Sequence, residues 1–369
     1  MQFKIRSPLA ALSALLLVIG VAFAGLQPST SAAQAREGAE GLTPGARIET
    51  VLTGMEDPVA MAFDPGGRLF YTEKSTGKVR LFANGALQPN PVITYNVSTC
   101  SERGLLGIAI DPNFNANRYI YVYYTVGPGC GITENKVARF VERDGVGSNS
   151  VDIFASPQTA GNHDGGNIHF GPDGKLYISV GDSANAATAQ NLASKNGKIH
   201  RINPDGSNPG DNPNFNQPGA LGSIYVLGLR NSFDFAFDPV VRGRIFASEN
   251  GPGCDDEMNR IEAGFNYGWR STGICEGGNP DPRFNNIAPL WFQDNNACCE
   301  APTGITVYSG HQIPQWRNHL FMAAYTGGKL RHFYLNNDRT SVTTTNVVQG
   351  ITANMDLETG PDGAFWYIE

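Results

Sequence analysis

Asp64-Pro65-Gly66-Gly67 followed by Arg68-Leu69-Phe70-Tyr71 is the phrase on which the fold turns. It recurs as Asp111-Pro112-Asn113-Phe114 ahead of Tyr119-Ile120-Tyr121-Val122, and as Gly171-Pro172-Asp173-Gly174 ahead of Lys175-Leu176-Tyr177-Ile178. Three further copies are Asp238-Pro239 ahead of Arg244-Ile245-Phe246-Ala247, Ile313-Pro314 ahead of His319-Leu320-Phe321-Met322, and Gly360-Pro361-Asp362-Gly363 ahead of Ala364-Phe365-Trp366-Tyr367. Proline presets the turn and glycine supplies a positive φ, so each copy reads as a hairpin entering an alternating apolar strand. Hairpins at regular spacing without helical periodicity predict an all-β, six-bladed β-propeller, in which radial repetition protects sheet edges.

Spacing widens where Gly/Asn/Pro-rich insertions lie, at 203–222 and 275–303, and these are expected as loops on one face, where a site is built. The last copy ends at Glu369 with little chain after it, so the last blade reads as incomplete. Residues 47–52 are expected to close it as an outer strand, with an inner strand still missing and the natural chain continuing past Glu369.

Upstream of the repeats, Lys4 and Arg6 precede an uncharged apolar run from Leu9 to Ala24, followed by the small-x-small sites Ala22-Phe23-Ala24 and Ala33-Gln34-Ala35. This pattern predicts a signal peptide and disordered leader over 1–40, with the propeller over 41–369 and a secreted or periplasmic location. An uncleaved N-terminal anchor is the competing reading. No second long apolar stretch exists, so no membrane span is expected in the mature chain. A formal net charge of −7 with scattered basic residues gives no footprint for nucleic acid. Cys100, Cys130, Cys254, Cys275, Cys298 and Cys299 form an even set, expected as disulfides: Cys100 with Cys130, and the other four joined locally.

Three clusters can carry chemistry. Gly161-Asn162-His163-Asp164-Gly165-Gly166-Asn167 places a histidine in a Gly-rich turn, where imidazole can act as a general base or merely tie backbone together. Gly228-Leu229-Arg230-Asn231 offers a fixed cation that stabilises a developing oxyanion or clamps a loop. Glu249-Asn250-Gly251-Pro252-Gly253-Cys254-Asp255-Asp256-Glu257 is dense in hard oxygen donors, which suits calcium, or is a solvated acidic face.

In order along the chain, these clusters resemble the glucose/sorbosone dehydrogenase family, which includes soluble pyrroloquinoline quinone (PQQ) sugar dehydrogenases and aldose dehydrogenases. The likeness runs from about Asp57 to the end. It is carried by Gly104-Leu105-Leu106-Gly107, the His163 turn, Gly181-Asp182, Gly197-Lys198-Ile199-His200-Arg201-Ile202-Asn203, the Arg230-Asn231 pair, the Gly251-Pro252 loop and Asn266-Tyr267-Gly268-Trp269. The resemblance implies His163 as the base that takes a sugar hydroxyl proton, and Arg230 with Asn231 beside the quinone. It implies Gly251 and Pro252 carbonyls on a Ca2+ that anchors PQQ, Glu257 and Tyr267 on a further Ca2+, a sugar substrate and an external electron acceptor.

Departures from the family pattern are specific. Glu102 stands where those enzymes carry glutamine, Ala353-Asn354-Met355-Asp356 lacks the arginines that meet cofactor carboxylates, and Lys329, expected to bind the cofactor in their place, is displaced from the fifth-blade lysine position, which here is a threonine. Each lost cation removes a charge-assisted hydrogen bond worth roughly 1.5–3 kcal/mol. Two alternatives to the dehydrogenase therefore stand: a non-catalytic, calcium-stabilised propeller that binds carbohydrate or protein, and a calcium-dependent hydrolase.

Overall fold

The computed structural model describes residues 2–6 and 37–369, except 215, 254, 270–286 and 294–299. Five sheets are blades drawn from consecutive antiparallel strands. The first holds Pro58–Phe63, Leu69–Glu73, Lys78–Ala83 and Ala86–Leu87. The second holds Leu105–Ile110, Tyr119–Thr125, Thr133–Arg143 and Val146–Gln158. The third holds Gly165–Phe170, Leu176–Val180, Lys198–Ile202 and Ile224–Leu227. The fourth holds Ser232–Phe237, Ile245–Glu249, Glu257–Ile261 and Trp291–Phe292. The fifth holds Pro302–Val307, Leu320–Ala324, Lys329–Leu335 and Val342–Val348, with Glu37–Glu40 added in parallel on its outer edge.

The sequence predicts six such blades, and the sixth copy departs from that pattern. It supplies only the hairpin Leu357–Thr359 and Phe365–Ile368, which pairs with Gln2–Arg6 and then Arg47–Leu52. Arg47–Leu52 is the outer strand there, as expected. The strand that the C-terminal copy does not supply is the third, a place taken by Gln2–Arg6, and not the inner one, which Leu357–Thr359 fills. Gln2–Arg6 and Glu37–Glu40, both assigned to the signal peptide and leader from sequence, are strands, and residues 7–36 lie outside the described residues. Among the described residues no helix is long and apolar enough to cross a membrane.

Each quoted turn joins an inner strand to its neighbour, and in every copy but Ile313-Pro314 an aspartate holds the bend. Asp64 Oδ1 accepts from Arg68 N at 2.9 Å, Asp111 Oδ1 from Asn113 N at 2.8 Å, and Asp238 Oδ1 from Val240 N at 2.9 Å. A second repeat is not visible in sequence. The inner strands of the first, third, fourth and fifth blades slip register after their first residue, a bulge that frees backbone N–H groups. In three blades a hydroxyl on the next strand receives them: Thr72 takes Ala60 N at 3.1 Å, Ser179 takes Asn167 N at 3.2 Å, and Ser248 takes Asp234 N at 3.1 Å.

Apolar layers between successive sheets hold the blades side by side. Phe70 and Val79 meet Ile108 and Ile120; Tyr121 meets Ile168 and Leu176; Tyr177 meets Phe235 and Ile245. Phe246 meets Ile305 and Leu320, Phe321 meets Phe365, and Trp366 meets Met61 and Leu69. The inner strands thus surround a channel, with the loops before them gathered at one mouth. Cys100 is bonded to Cys130, as the sequence predicts. The expected pairing of the other four cysteines lies outside the described residues.

Candidate active site

His163 sits in the loop that leaves the second blade and starts the inner strand of the third, so the topology delivers it to the channel mouth. Its backbone is left-handed, at φ 58°. The turn packs directly on Gly181, where a Cβ would lie 2.1 Å from the His163 carbonyl oxygen, so only glycine fits there. His163 Nδ1 is 2.6 Å from Asp182 Oδ1, and the Trp269 indole N–H donates to Asp182 Oδ2 at 2.7 Å. With both carboxylate oxygens engaged, the Asp182 acceptor fixes the proton on Nδ1 and leaves Nε2 as the free basic nitrogen. Asp182 N in turn donates to the Arg230 carbonyl at 2.7 Å, joining the base to the next blade.

Arg230 and Asn231 precede the inner strand of the fourth blade. Glu249 Oε1 accepts both of their backbone N–H groups, at 2.8 and 2.6 Å, and the Ser232 hydroxyl donates to its other oxygen. Burial raises the Glu249 carboxyl above its ordinary range despite these donors. The Arg230 guanidinium donates to Asn250 O at 2.9 Å and lies 5.6 Å from the centre of the Trp269 ring. Among the described residues it has no carboxylate ion pair. Asn231 Oδ1 accepts from Gly165 N at 2.9 Å, and its amide reaches Glu102 Oε2 at 3.3 Å. Glu102 Oε2 also accepts His163 N at 2.7 Å. His163, Asp182, Arg230, Asn231, Glu102 and Trp269 are therefore one network, which brings together the sequence-predicted base, cation and amide.

The disulfide loop braces this network from behind. Buried Arg103 donates to Gly131 O at 2.9 Å on one side and to Ala160 O at 2.7 Å on the other, tying the Cys130 segment to the His163 turn. Asp164, the next residue, is 1 % exposed. Burial, reinforced by the Glu102 charge, pushes its carboxyl up to about 8.

The predicted calcium residues are placed less uniformly. Gly251 and Pro252 follow Asn250, the partner of Arg230, and Gly251 N donates to Asp256 Oδ1 at 3.0 Å. The structure does not join Glu257 and Tyr267. Glu257 accepts from the Asn259 amide at 2.9 Å, and burial raises its carboxyl to about 8. Tyr267 donates to Arg260 O at 2.7 Å and receives Glu262 N at 2.8 Å. No group of three or more His, Cys, Asp or Glu is arranged around a metal position among the described residues. Lys329 is committed elsewhere: Glu300 accepts from Lys329 Nζ at 2.5 Å and from Arg331 Nη2 at 2.6 Å. Glu300 N donates to Asp256 Oδ2 at 2.8 Å, so these cations are linked to the Gly251 loop only through a carboxylate.

Asp182, Trp269 and Glu249 join the network although sequence reasoning gave them no role of their own. Their signal was present, since Gly181-Asp182 and Asn266-Tyr267-Gly268-Trp269 are family segments. The donor set fits an anionic quinone at its reactive end: a guanidinium without an ion pair and an oriented imidazole share one mouth, beside an indole.

A sequence profile described as Glucose / Sorbosone dehydrogenase matches residues 55–369. The chain belongs to this family. Like it in sequence are an uncharacterised protein of Synechocystis, 32% identical over 92% of this chain and 88% of that protein, and the quinoprotein glucose dehydrogenase B of Acinetobacter calcoaceticus, 32% identical over 73% of this chain and 60% of that protein. The PQQ-bound form of aldose sugar dehydrogenase from Streptomyces coelicolor superposes with a TM-score of 0.70 at 26% identity, covering 87% of this chain and 97% of that one. The glucose/sorbosone dehydrogenase fold and a PQQ-dependent sugar dehydrogenase family are thus the setting for the His163 network.

Proposed function

We propose that the protein is a secreted quinoprotein-type oxidoreductase that oxidises a hydroxyl of an aldose or related sugar, with PQQ held through Ca2+ and an external acceptor completing turnover. The observation that carries this reading is the Asp182–His163 pair, with Nε2 left free beside Arg230. His163 Nε2 takes the hydroxyl proton while the carbon becomes a carbonyl. PQQ, when bound, supplies the two-electron acceptor for the hydrogen leaving that carbon. Arg230 faces the negative charge that accumulates, held in place by Asn250 O and the Trp269 ring. Gly251 and Pro252 are the residues whose carbonyls would hold the calcium. In this reading the sheet begun by Leu357–Thr359 and Phe365–Ile368 serves as the sixth blade.

The Lys329–Glu300 ion pair favours the alternative, a calcium-stabilised propeller that binds carbohydrate or protein, because it leaves fewer cations for cofactor carboxylates. Calorimetric titration of PQQ with Ca2+, read with aldose-driven dye reduction in the parent and in His163→Ala, separates the two. Saturable binding in both proteins, with turnover reduced roughly 10²–10⁴-fold in the variant, is the dehydrogenase result. No binding at high micromolar PQQ overturns it in favour of recognition.

A further inference from the structure

The channel has a second mouth, at the ends of the inner strands farthest from His163 and Arg230. A cavity of about 350 Å³ opens there, within the size range of small-molecule sites. Phe63, Phe170 and Phe237, each the last residue of its inner strand, contribute to an apolar wall, and His169 and Glu358 are its ionisable lining residues. No lysine or arginine lines it.

Charge at this mouth is out of balance. Asp234 accepts Ile305 N at 2.9 Å, Phe235 N at 2.7 Å and the His169 ring nitrogen Nε2 at 2.8 Å, so its oxygens are engaged. Asp356 accepts Met61 N at 2.7 Å and Leu357 N at 2.8 Å. Glu358 is different: its carboxylate receives only the neighbouring Thr359 N–H, and no side chain pairs with it among the described residues. Glu358 and the already engaged Asp234 therefore face one imidazole, that of His169. A metal ion is a poor answer, because two of the carboxylates already serve backbone N–H groups and no cluster of metal-ligating side chains is present among the described residues. One available carboxylate beneath aromatic walls matches a cation with an apolar body.

We propose that this cavity binds a protonated organic amine, its ammonium on Glu358 and its apolar part against Phe63, Phe170 and Phe237. The site is separate from the His163 network and does not rest on the dehydrogenase reading. The ammonium supplies the countercharge that Glu358 lacks, while desolvation of the apolar part adds affinity. Burial and the Asp234 charge hold the Glu358 carboxyl at about 7, against the opposing pull of His169, so the free site competes with protons near neutrality.

The test uses the whole chain with benzylamine as probe and benzyl alcohol as its neutral isostere, followed by ligand-observed NMR and calorimetry at about pH 8. The expected result is saturable benzylamine binding with a Kd of about 1 mM or below, at least tenfold weaker binding of benzyl alcohol, and a tenfold or greater loss in Glu358→Gln. In the parent protein, affinity is also expected to fall as pH drops from about 8 to 6, a measurement that stands even if Glu358→Gln fails to fold. Absence of saturation at about 10 mM overturns the proposal. Equal binding of the alcohol, or affinity indifferent to both Glu358→Gln and pH, overturns it as well, since the cavity would then be a generic apolar pocket.

Discussion

Replacing Asp182 by asparagine tests the central geometry directly. In the parent, one Asp182 oxygen meets His163 Nδ1 at 2.6 Å and the other meets the Trp269 indole at 2.7 Å. An amide is isosteric but neutral. It can keep one acceptor for Trp269 only by turning its NH2 toward Nδ1, which forces the imidazole proton onto Nε2 and removes the base. Loss of a hydrogen bond to a charged group costs roughly 1.5–3 kcal/mol, which corresponds to about a 10- to 150-fold fall in kcat. Inversion of the tautomer adds to this. The assay is steady-state dye reduction with an aldose in PQQ- and calcium-loaded protein, with circular dichroism melting as the folding control and Trp269→Phe alongside. Trp269→Phe leaves the His163 contact intact, so its loss is expected to be smaller than that of Asp182→Asn. A kcat within about twofold of the parent in a folded Asp182→Asn protein refutes the assignment of His163 as an oriented base.

Asp164→Asn is expected to flatten the pH dependence of stability. The folded carboxyl holds its proton up to about 8, whereas the unfolded chain releases it near 3.8, so parent stability falls as pH rises through that window, by roughly 6 kcal/mol at most. Urea unfolding at pH 5 and pH 8 reads the difference; equal slopes in parent and variant would mean that Asp164 is ionised in the fold. Opening the disulfide with Cys100→Ser is expected to lower stability by roughly 3–4 kcal/mol, given a closed loop of 30 residues. Because Arg103 ties that loop to the His163 turn, turnover should fall at temperatures well below the new Tm, and unchanged kcat there would show that the turn holds itself.

The repeat was legible because its signals are local: a proline, in most copies with an aspartate or a glycine within a few residues, marks each hairpin, and strand alternation follows. The Cys100–Cys130 bond was legible from parity and proximity in the chain. What stayed hidden depends on distant segments. Glu300 meets Lys329 across 29 residues and diverts a lysine that sequence reasoning had assigned to a cofactor. Asp182 acts through His163, 19 residues before it, and the Gly181-Asp182 segment marks it without naming that partner. Glu257 and Tyr267 lie only ten residues apart, yet each hydrogen-bonds nearer groups, contacts that sequence spacing does not reveal. The last blade was misjudged because strand order in a closing sheet is set by pairing between chain segments far apart, on which a local turn is silent.

His163 holds a backbone conformation that suits glycine and asparagine better than most residues, at φ 58°. The choice of replacement at this position therefore decides what an experiment measures. Asparagine keeps the loop's natural handedness while deleting the imidazole, so its deficit reports chemistry. Valine or isoleucine would oppose that handedness and disturb the Gly181 contact, so their deficits would mix lost chemistry with a displaced loop. In any library made at this codon, the shape of the chain filters variants before catalysis does, and surviving sequences would be enriched for residues tolerant of that turn whether or not they can accept a proton.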